Sequence, residues 1–364
     1  MTMNRRAAIK SGAGAMAFLA AQGAFAAAKA AKPLKILILG GTNFVGPAVV
    51  ERALARGHEV TMFNRGVTRP HLFPDVEKLR GDRDPQTGDL TALKGARRWD
   101  AVIDVWPEYQ DKVETTARLL EDRTDYYYFV SSIAAYSSFN KPGMTEDANL
   151  RVDEEGRYYG GEKARTEQFL HKFFPGRAGT GRCQAIIGPR DDGWAYHYWL
   201  QRLSSYDEVL APGTGRDFVQ AVDVRDVANW VVDCAERRLA GAYNITGPQP
   251  PLTLKTFLEQ TRAGIGGGAE LVWVDADFLR QEQNIRSFDQ MPLWAPIDED
   301  EGFYQISSEK GLNDGMTFRP VTETARDAFA WTQSHFFRHV SFPQGGMGVS
   351  REMEEAALAA WRAR

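Results

Sequence analysis

A tyrosine and a lysine four residues apart, Tyr159 and Lys163, are the first candidates for chemistry in this sequence. The residues that follow them have helical spacing, so both side chains lie on one face of a predicted helix. A lysine ammonium beside a phenol favours the phenolate. Such a tyrosine can exchange a proton with a substrate hydroxyl or carbonyl group. Because Tyr-x-x-x-Lys is frequent by chance, the assignment depends on the elements around it.

A glycine-rich turn is the strongest of those elements. An apolar run over Lys35–Leu39 predicts a buried parallel strand, and a helix over 47–55 and a strand over 59–63 follow the turn. A strand, glycine turn, helix and strand within about thirty residues are typical of a dinucleotide-binding unit, in which the pyrophosphate lies at the helix N-terminus. Asn43 replaces the middle glycine, and asparagine tolerates a positive φ angle. The predicted cofactor-binding residues of the turn are Gly40, Thr42, Asn43, Phe44, Val45 and Gly46.

Strand and helix patterns continue to alternate beyond this unit. We predict a strand over 99–104, a helix over 112–120 and a strand over 126–130 that ends at Ser131-Ser132. Alternation of this kind indicates a parallel sheet covered on both faces. The predicted fold class is therefore α/β, a Rossmann-type doubly wound parallel sheet with a smaller C-terminal substrate-binding lobe.

The domain boundaries follow from these patterns. Residues 1–30 are predicted to be an export signal and 33–247 the NAD(P)-binding domain, within which 189–215 contributes to the substrate lobe. Residues 248–340 form the substrate-binding lobe, over the carboxyl ends of the strands, where such sheets bind ligands. Residues 341–364 form a C-terminal tail helix.

Composition excludes several classes of protein. The 364 residues are 43% hydrophobic and 25% charged, with a formal net charge of -4, which excludes disordered, collagenous and coiled-coil chains. The chain has no excess positive charge to neutralise phosphates, so we expect no nucleic-acid partner. Cys183 and Cys234 show no metal-ligand spacing and are predicted to be small buried residues. We therefore predict no metal site.

Together these residues resemble the extended short-chain dehydrogenase/reductase family, in its NAD-dependent epimerase/dehydratase-like branch. The resemblance runs from Lys35 to about residue 337 and includes matching segments at 188–191, 218–226 and 241–247. The segments 40–46 and 63–66 are also similar to an isoflavone-reductase-like subgroup and to chloroplast stem-loop-binding proteins.

The resemblance implies roles for individual residues. Tyr159 would be the acid/base, and Lys163 would bind the nicotinamide ribose and assist it. Ser132 would bind substrate through a hydrogen bond to the reacting oxygen. Asp82 would meet the adenine amine, with capping of the following turn as its alternative role. Arg190, in a turn-rich segment, is assigned to substrate binding.

The end of the second predicted strand bears on the choice of cofactor. NAD-specific proteins place an acidic residue there to bind the ribose hydroxyls, but this chain has Asn64-Arg65. No carboxylate repels a 2′-phosphate, and Arg65 can pair with one, so NADP is slightly favoured over NAD. Stacking of Arg65 on adenine is the alternative.

The first thirty residues have the pattern of an export signal. A basic segment with Arg5-Arg6 precedes an Ala/Gly-rich apolar run and the small residues around Ala26, where we expect cleavage. The run is too short and too weakly apolar for a permanent membrane anchor. The paired arginines resemble a twin-arginine leader, which implies a periplasmic protein with no stable membrane insertion after cleavage.

The expected function is that of an NAD(P)-dependent epimerase/dehydratase or oxidoreductase with a retained cofactor. Its expected substrate is a small molecule, sugar-like or phenolic, and a homodimer is a further expectation. Some sugar epimerases have a second hydroxyl residue where this chain has Ala134, which argues against a specific sugar-epimerase identity. The alternatives are a non-catalytic NAD(P)-binding protein and an RNA-binding relative of the same fold.

Overall fold

The structure is a computed structural model that describes residues 29–105, 109–152, 156, 158–298, 301–335 and 341–364. Most of the predicted export signal, including the cleavage site near Ala26, lies outside the described residues. None of the helices in these ranges is long and apolar enough to cross a membrane.

A seven-stranded parallel sheet lies at the centre of the described chain. The strands of the molecule are, in chain order, β1 (Lys35–Leu39), β2 (Glu59–Asn64), β3 (Glu77–Arg80), β4 (Ala101–Asp104), β5 (Tyr127–Ser132), β6 (Ala178–Cys183), β7 (Ile186–Ile187), β8 (Glu208–Pro212), β9 (Phe218–Val219), β10 (Val222–Asp223), β11 (Gly241–Ile245), β12 (Leu252–Thr253) and β13 (Glu270–Val274). The large sheet has the order β11-β6-β5-β4-β1-β2-β3. The strand order reverses between β1 and β4, and sheets of this kind bind ligands in the crevice at the carboxyl ends of the strands at such a point. The sheet confirms the predicted α/β doubly wound architecture.

Helices cover both faces of this sheet. In chain order, the helices of the described residues, on the sheet and outside it, are α1 (Val45–Arg56), α2 (Gln110–Leu120), α3 (Tyr159–Phe173), α4 (Trp194–Ser205), α5 (Val224–Arg237), α6 (Leu254–Ile265), α7 (Glu309–Asn313), α8 (Val321–His335) and α9 (Arg351–Arg362). The helix predicted over 112–120 begins two residues earlier, and the strand predicted over 99–104 begins two residues later. The tail helix predicted within 341–364 corresponds to α9.

Alternation along β1 explains why the sheet is covered twice. Ile36 and Ile38 belong to an apolar cluster that includes residues of α1 and α5. Leu37 and Leu39 belong to a second cluster, with residues of α2 and α3. All four side chains have no exposed surface. A strand buried on both faces has the continuous apolar sequence that β1 shows.

A separate hydrophobic core lies outside the large sheet. It is formed by residues of α4, α6, α8 and α9 and by the pair of parallel strands β8 and β13. Tyr196, Tyr198 and Trp199 of α4 are fully buried in this core. These aromatic residues therefore pack in the core and are not exposed to stack on a ligand.

A buried ion pair fixes α9 to this core. The Glu354 carboxylate lies 2.8 Å from the Arg202 guanidinium of α4, and neither side chain is more than 3% exposed. Glu354 also accepts a hydrogen bond from the backbone amide of Leu210 in β8 (2.9 Å). The tail helix is therefore bound to two other elements through one carboxylate.

Replacing Glu354 by Gln should destabilise the protein, because it leaves the Arg202 guanidinium buried without its counter-charge. We expect the free energy of unfolding to fall by about 3 kcal/mol or more, measured by urea denaturation. Glu355→Gln is the matched control on the same helix. Its carboxylate is 60% exposed in its pair with Arg351, so its loss should cost about 0–0.5 kcal/mol. Equal effects of the two substitutions would contradict the structural role of the buried pair.

Candidate active site

The glycine turn lies at the carboxyl end of β1, where it opens α1. Gly40 and Gly41 have positive φ angles of 110° and 94°. Gly46 lies so close to them that a Cβ atom on it would be 2.7 Å from the Gly41 Cα. The first turn of α1 contains no acidic residue, and no side chain caps it. This arrangement fits a pyrophosphate, because a helix N-terminus with close backbone approach favours a bound anion.

The backbone conformation of Asn43 differs from the one predicted. The positive φ angle expected there lies instead at Phe44, at 36°. The Asn43 side chain is engaged on both sides, since it donates to the Asp192 carboxylate (2.9 Å) and accepts from Arg69. The side-chain amide of Asn43 therefore connects the glycine turn to Asp192 and Arg69. Two other predicted residues of the turn, Thr42 and Val45, have buried side chains.

Two arginines, Arg65 and Arg80, lie at the carboxyl ends of the neighbouring strands β2 and β3. Asn64 donates to the carbonyl of Gly40 (2.9 Å), accepts from the amide of Gly66 (3.0 Å) and also accepts from Arg80. Arg65 is exposed, and within the described ranges it has no hydrogen-bond or ion-pair partner. The Arg80 guanidinium lies against Gly66, beside the segment where a 2′-phosphate is expected.

Arg80 was not among the predicted site residues. It is sixteen residues from Asn64 in sequence, but the parallel register of β2 and β3 makes the two direct neighbours. The glycine motif at the end of β1 does not predict the register between β2 and β3, so it could not indicate this contact. The available signal was a basic residue at the carboxyl end of the strand next to β2.

Asp82 lies in the loop after β3. Its backbone amide donates to the carbonyl of Asp89 (3.0 Å), and its carboxylate accepts from the amide of Asp84 (3.2 Å). The turn-capping role is therefore present in the structure. Contact with adenine stays a prediction.

Tyr159 and Ser132 are brought together by a glycine. Ser132 ends β5, and its hydroxyl accepts from the amide of Ala134 (3.1 Å). A Cβ atom on Gly160, the second residue of α3, would lie 2.1 Å from the Ala134 carbonyl oxygen. Only glycine lets the start of α3 lie directly on the turn after Ser132. Tyr159 begins that helix and is 54% exposed, so its ring is accessible to a ligand.

Lys163 lies below Tyr159, between α3 and β5. Its side chain is almost completely buried, and its ammonium donates to the carbonyl of Val130 (2.9 Å). The Nζ atom lies 5.5 Å from the centre of the Tyr159 ring and 4.6 Å from that of Phe129. The predicted proximity of the ammonium and the phenol is thus present in the structure.

The charge state of Lys163 reflects its burial. Burial lowers the pKa of Lys163 to about 8, while the nearby carboxylates of Asp104 and Glu167 act in the opposite direction and Arg83 acts with burial. The ammonium therefore persists at neutral pH and is lost as the pH rises through about 8.

Arg190 forms an ion pair with a residue of α1, the helix that follows the glycine turn. Its guanidinium lies 2.8 Å from the Glu51 carboxylate of α1, and nearby Asp192 accepts from Asn43. Asp191 between them is buried, which raises the pKa of its carboxyl well above the usual range. The segment 190–192 thus lies beside the predicted cofactor turn. A contact of Arg190 with substrate stays a prediction.

The structure also contains a buried ionic cluster that the sequence patterns did not reveal. Asp104, the last residue of β4, is fully buried. Its carboxylate accepts two hydrogen bonds from Arg83 and one from the Tyr127 hydroxyl, each 2.8 Å long. The signal in the sequence was an acidic residue at the end of an otherwise apolar strand.

Comparison with known proteins agrees with this architecture. Residues 36–246 match the family model described as the NAD dependent epimerase/dehydratase family. The chain is 28% identical over 233 residues to the chloroplast stem-loop binding protein of 41 kDa b from Arabidopsis thaliana, and this alignment covers 58% of this chain and 58% of that protein. The chain thus spans less than two thirds of the length of that relative.

Two solved structures share the fold. The Bordetella bronchiseptica enzyme WbmH, in complex with NAD+, has a TM-score of 0.62 at 17% identity, with 84% of this chain and 99% of that chain covered. The UDP-Glc/GlcNAc 4-epimerase of Campylobacter jejuni has a TM-score of 0.63 at 15% identity, with 83% and 99% covered.

Gly160→Ala should disturb the contact that joins Tyr159 to Ser132. The added methyl group would overlap the Ala134 carbonyl, and we expect the free energy of unfolding to fall by about 1–3 kcal/mol. Gly161→Ala is the adjacent control, because its nearest atom is the Arg165 guanidinium at 3.0 Å, the end of a side chain that can move. Urea denaturation of both variants checks the prediction. Equal tolerance of the two substitutions would show that the close approach is not required.

Proposed function

Because the chain belongs to the NAD dependent epimerase/dehydratase family, we propose that it is an NAD(P)-dependent epimerase/dehydratase or oxidoreductase. It acts on an alcohol or carbonyl group of a sugar-like or small phenolic substrate. The phenolic class follows from the isoflavone-reductase-like resemblance of segments 40–46 and 63–66. The observation that supports catalysis best is the buried Lys163 ammonium, 5.5 Å from the ring of an accessible Tyr159.

In this proposal Tyr159 moves the proton. Its phenolate, which the Lys163 ammonium stabilises, accepts the proton of a substrate alcohol and becomes the phenol. The phenol returns a proton to a carbonyl oxygen and becomes the phenolate again. The Ser132 hydroxyl, next to the start of α3, donates a hydrogen bond to the reacting oxygen. When bound, the nicotinamide group supplies reversible hydride transfer.

The residues that would hold the cofactor lie along the carboxyl ends of β1, β2 and β3. The turn from Gly40 to Gly46 would bind the pyrophosphate, because its backbone approach is close and the α1 N-terminus carries no acidic residue. Asp82 would contact the adenine amine. Arg65 and Arg80 would pair with a 2′-phosphate, which favours NADP over NAD.

The first thirty residues, which resemble an export signal, also bear on where the protein is located. We propose export in the folded state by a twin-arginine route to the periplasm. Free nicotinamide cofactor and nucleotide sugars should be scarce there, so the protein would keep its own cofactor. A retained cofactor requires a reaction without net redox change, such as epimerisation or dehydration, or paired oxidation and reduction of two substrates. Free sugars, glycosides and small phenolics fit better than activated sugars.

The mature protein should therefore purify with NAD(P) and turn over without added cofactor. Mass spectrometry of the bound nucleotide identifies it, and a panel of sugars, glycosides and phenolics tests turnover. Tyr159→Phe is the matched variant, because it removes only the ionisable hydroxyl. It should keep the cofactor and lose about 10²-fold or more in turnover. A cofactor-free protein that consumes NADPH stoichiometrically would contradict retention, and full activity of Tyr159→Phe would contradict the acid/base role.

RNA binding is the second candidate function, because the Arabidopsis relative is named a stem-loop binding protein. The net charge of -4 argues against it, since binding of nucleic acid depends mainly on neutralising phosphates. Retention of labelled stem-loop RNA at physiological salt, together with an absence of bound nucleotide cofactor, would favour this candidate over the enzyme.

The relative affinities for NADP and NAD test the proposed roles of Arg65 and Arg80. If Arg65 pairs with a 2′-phosphate, Arg65→Ala should weaken NADP binding by about 1.5–3 kcal/mol and NAD binding far less. Arg80→Ala should change affinity in the same direction. Titration calorimetry with each nucleotide measures this, and Arg286→Ala, an exposed arginine on the other lobe paired with Asp289, is the control. Equal weakening of both nucleotides by Arg65→Ala would mean that Arg65 stacks on adenine.

A further inference from the structure

We propose that Asp104, held in place by Arg83 and Tyr127, is a positioning residue that keeps the Lys163 ammonium charged beneath Tyr159. The catalytic consequence rests on the proposed function. The pairing itself is a property of the chain and can be tested without turnover.

The strand register places Asp104 and Lys163 on the same face of the sheet. Asp104 of β4 is the direct partner of Phe129 in β5, and side chains at paired positions of neighbouring strands project to the same side. Phe129 belongs to the apolar cluster shared with α2 and α3. The Lys163 Nζ atom lies 4.6 Å from the centre of that Phe129 ring. The carboxylate and the ammonium therefore approach one buried region from β4 and α3.

Three hydrogen bonds fix the orientation of the Asp104 carboxylate. One oxygen accepts from Arg83, and the other accepts from both Arg83 and the Tyr127 hydroxyl, all at 2.8 Å. Charge-assisted bonds of this bidentate kind set direction as well as energy. A carboxylate with no exposed surface is also screened little by solvent, and the Arg83 guanidinium offsets only part of its field at Lys163.

The other charged and titratable groups that face Lys163 contribute less to its charge state. The Glu167 carboxylate is engaged by the Arg182 guanidinium (2.9 Å) and the Ser131 hydroxyl (2.5 Å). Burial raises the pKa of the Cys183 thiol to about 12, so that group stays neutral. Arg83 lowers the pKa of Lys163, and among the groups that raise it Asp104 has the largest effect.

The experiment follows the titration of Lys163 itself in the full mature chain. Lysine labelled with ¹³C at the ε position gives one NMR signal per side chain, and loss of a signal in Lys163→Arg assigns it. In Asp104→Asn the titration midpoint should fall by about one pH unit or more, because the ammonium loses an opposite charge. In Arg83→Met it should rise, because a like charge is removed. Glu354→Gln breaks a buried ion pair in the other core and should leave the midpoint unchanged.

Further variants keep the test decisive if a single substitution prevents folding. The double variant Arg83→Met/Asp104→Asn removes both charges of that ion pair, so neither partner is left buried alone. It should also lower the midpoint, since Asp104 outweighs Arg83. Tyr127→Phe removes one hydrogen bond and no charge, so it should shift the midpoint least. A midpoint unchanged in folded Asp104→Asn or in the double variant would overturn the inference. A shifted midpoint in a protein with no turnover would uphold it and reject only the proposed function.

Discussion

The buried ammonium of Lys163 is the constraint on which the site depends. A charged group taken out of water is costly unless it is hydrogen-bonded and faced by opposite charge. The Val130 carbonyl supplies the hydrogen bond, and Asp104 and Glu167 supply the opposing charge. Each carboxylate is in turn held by an arginine, Arg83 or Arg182. The buried polar groups between the sheet and α3 thus include two carboxylates, each paired with an arginine, that stabilise the Lys163 ammonium.

The sheet could be predicted because its signals are local. The apolar run of β1, the glycine turn and the start of α1 follow one another in sequence, and a physical reason ties each to the next. The Tyr159 and Lys163 pair was equally local, since a helical spacing of four places both on one face. The structure places these residues together with Ser132, while their catalytic roles stay predictions.

The features that prediction missed depend on contacts between distant segments. Arg80 comes to Asn64 only through strand register, and Arg83 meets Asp104 across 21 residues of sequence. Asn43 was assigned a backbone role from the motif alone, yet its side chain reaches Asp192, 149 residues away. A single sequence contains these residue types but not the pairing between them. Arg190 is a similar case, because its partner Glu51 lies on a helix far from it in the chain.

The contact between Gly160 and the Ala134 carbonyl has a consequence for how a ligand is accommodated. With no room for even one methyl group between them, the start of α3 packs directly on the turn after β5. The mutual arrangement of Tyr159, Lys163 and Ser132 is therefore set by the packing of the backbone. Such preorganisation places the ordering cost in folding instead of in each reaction cycle.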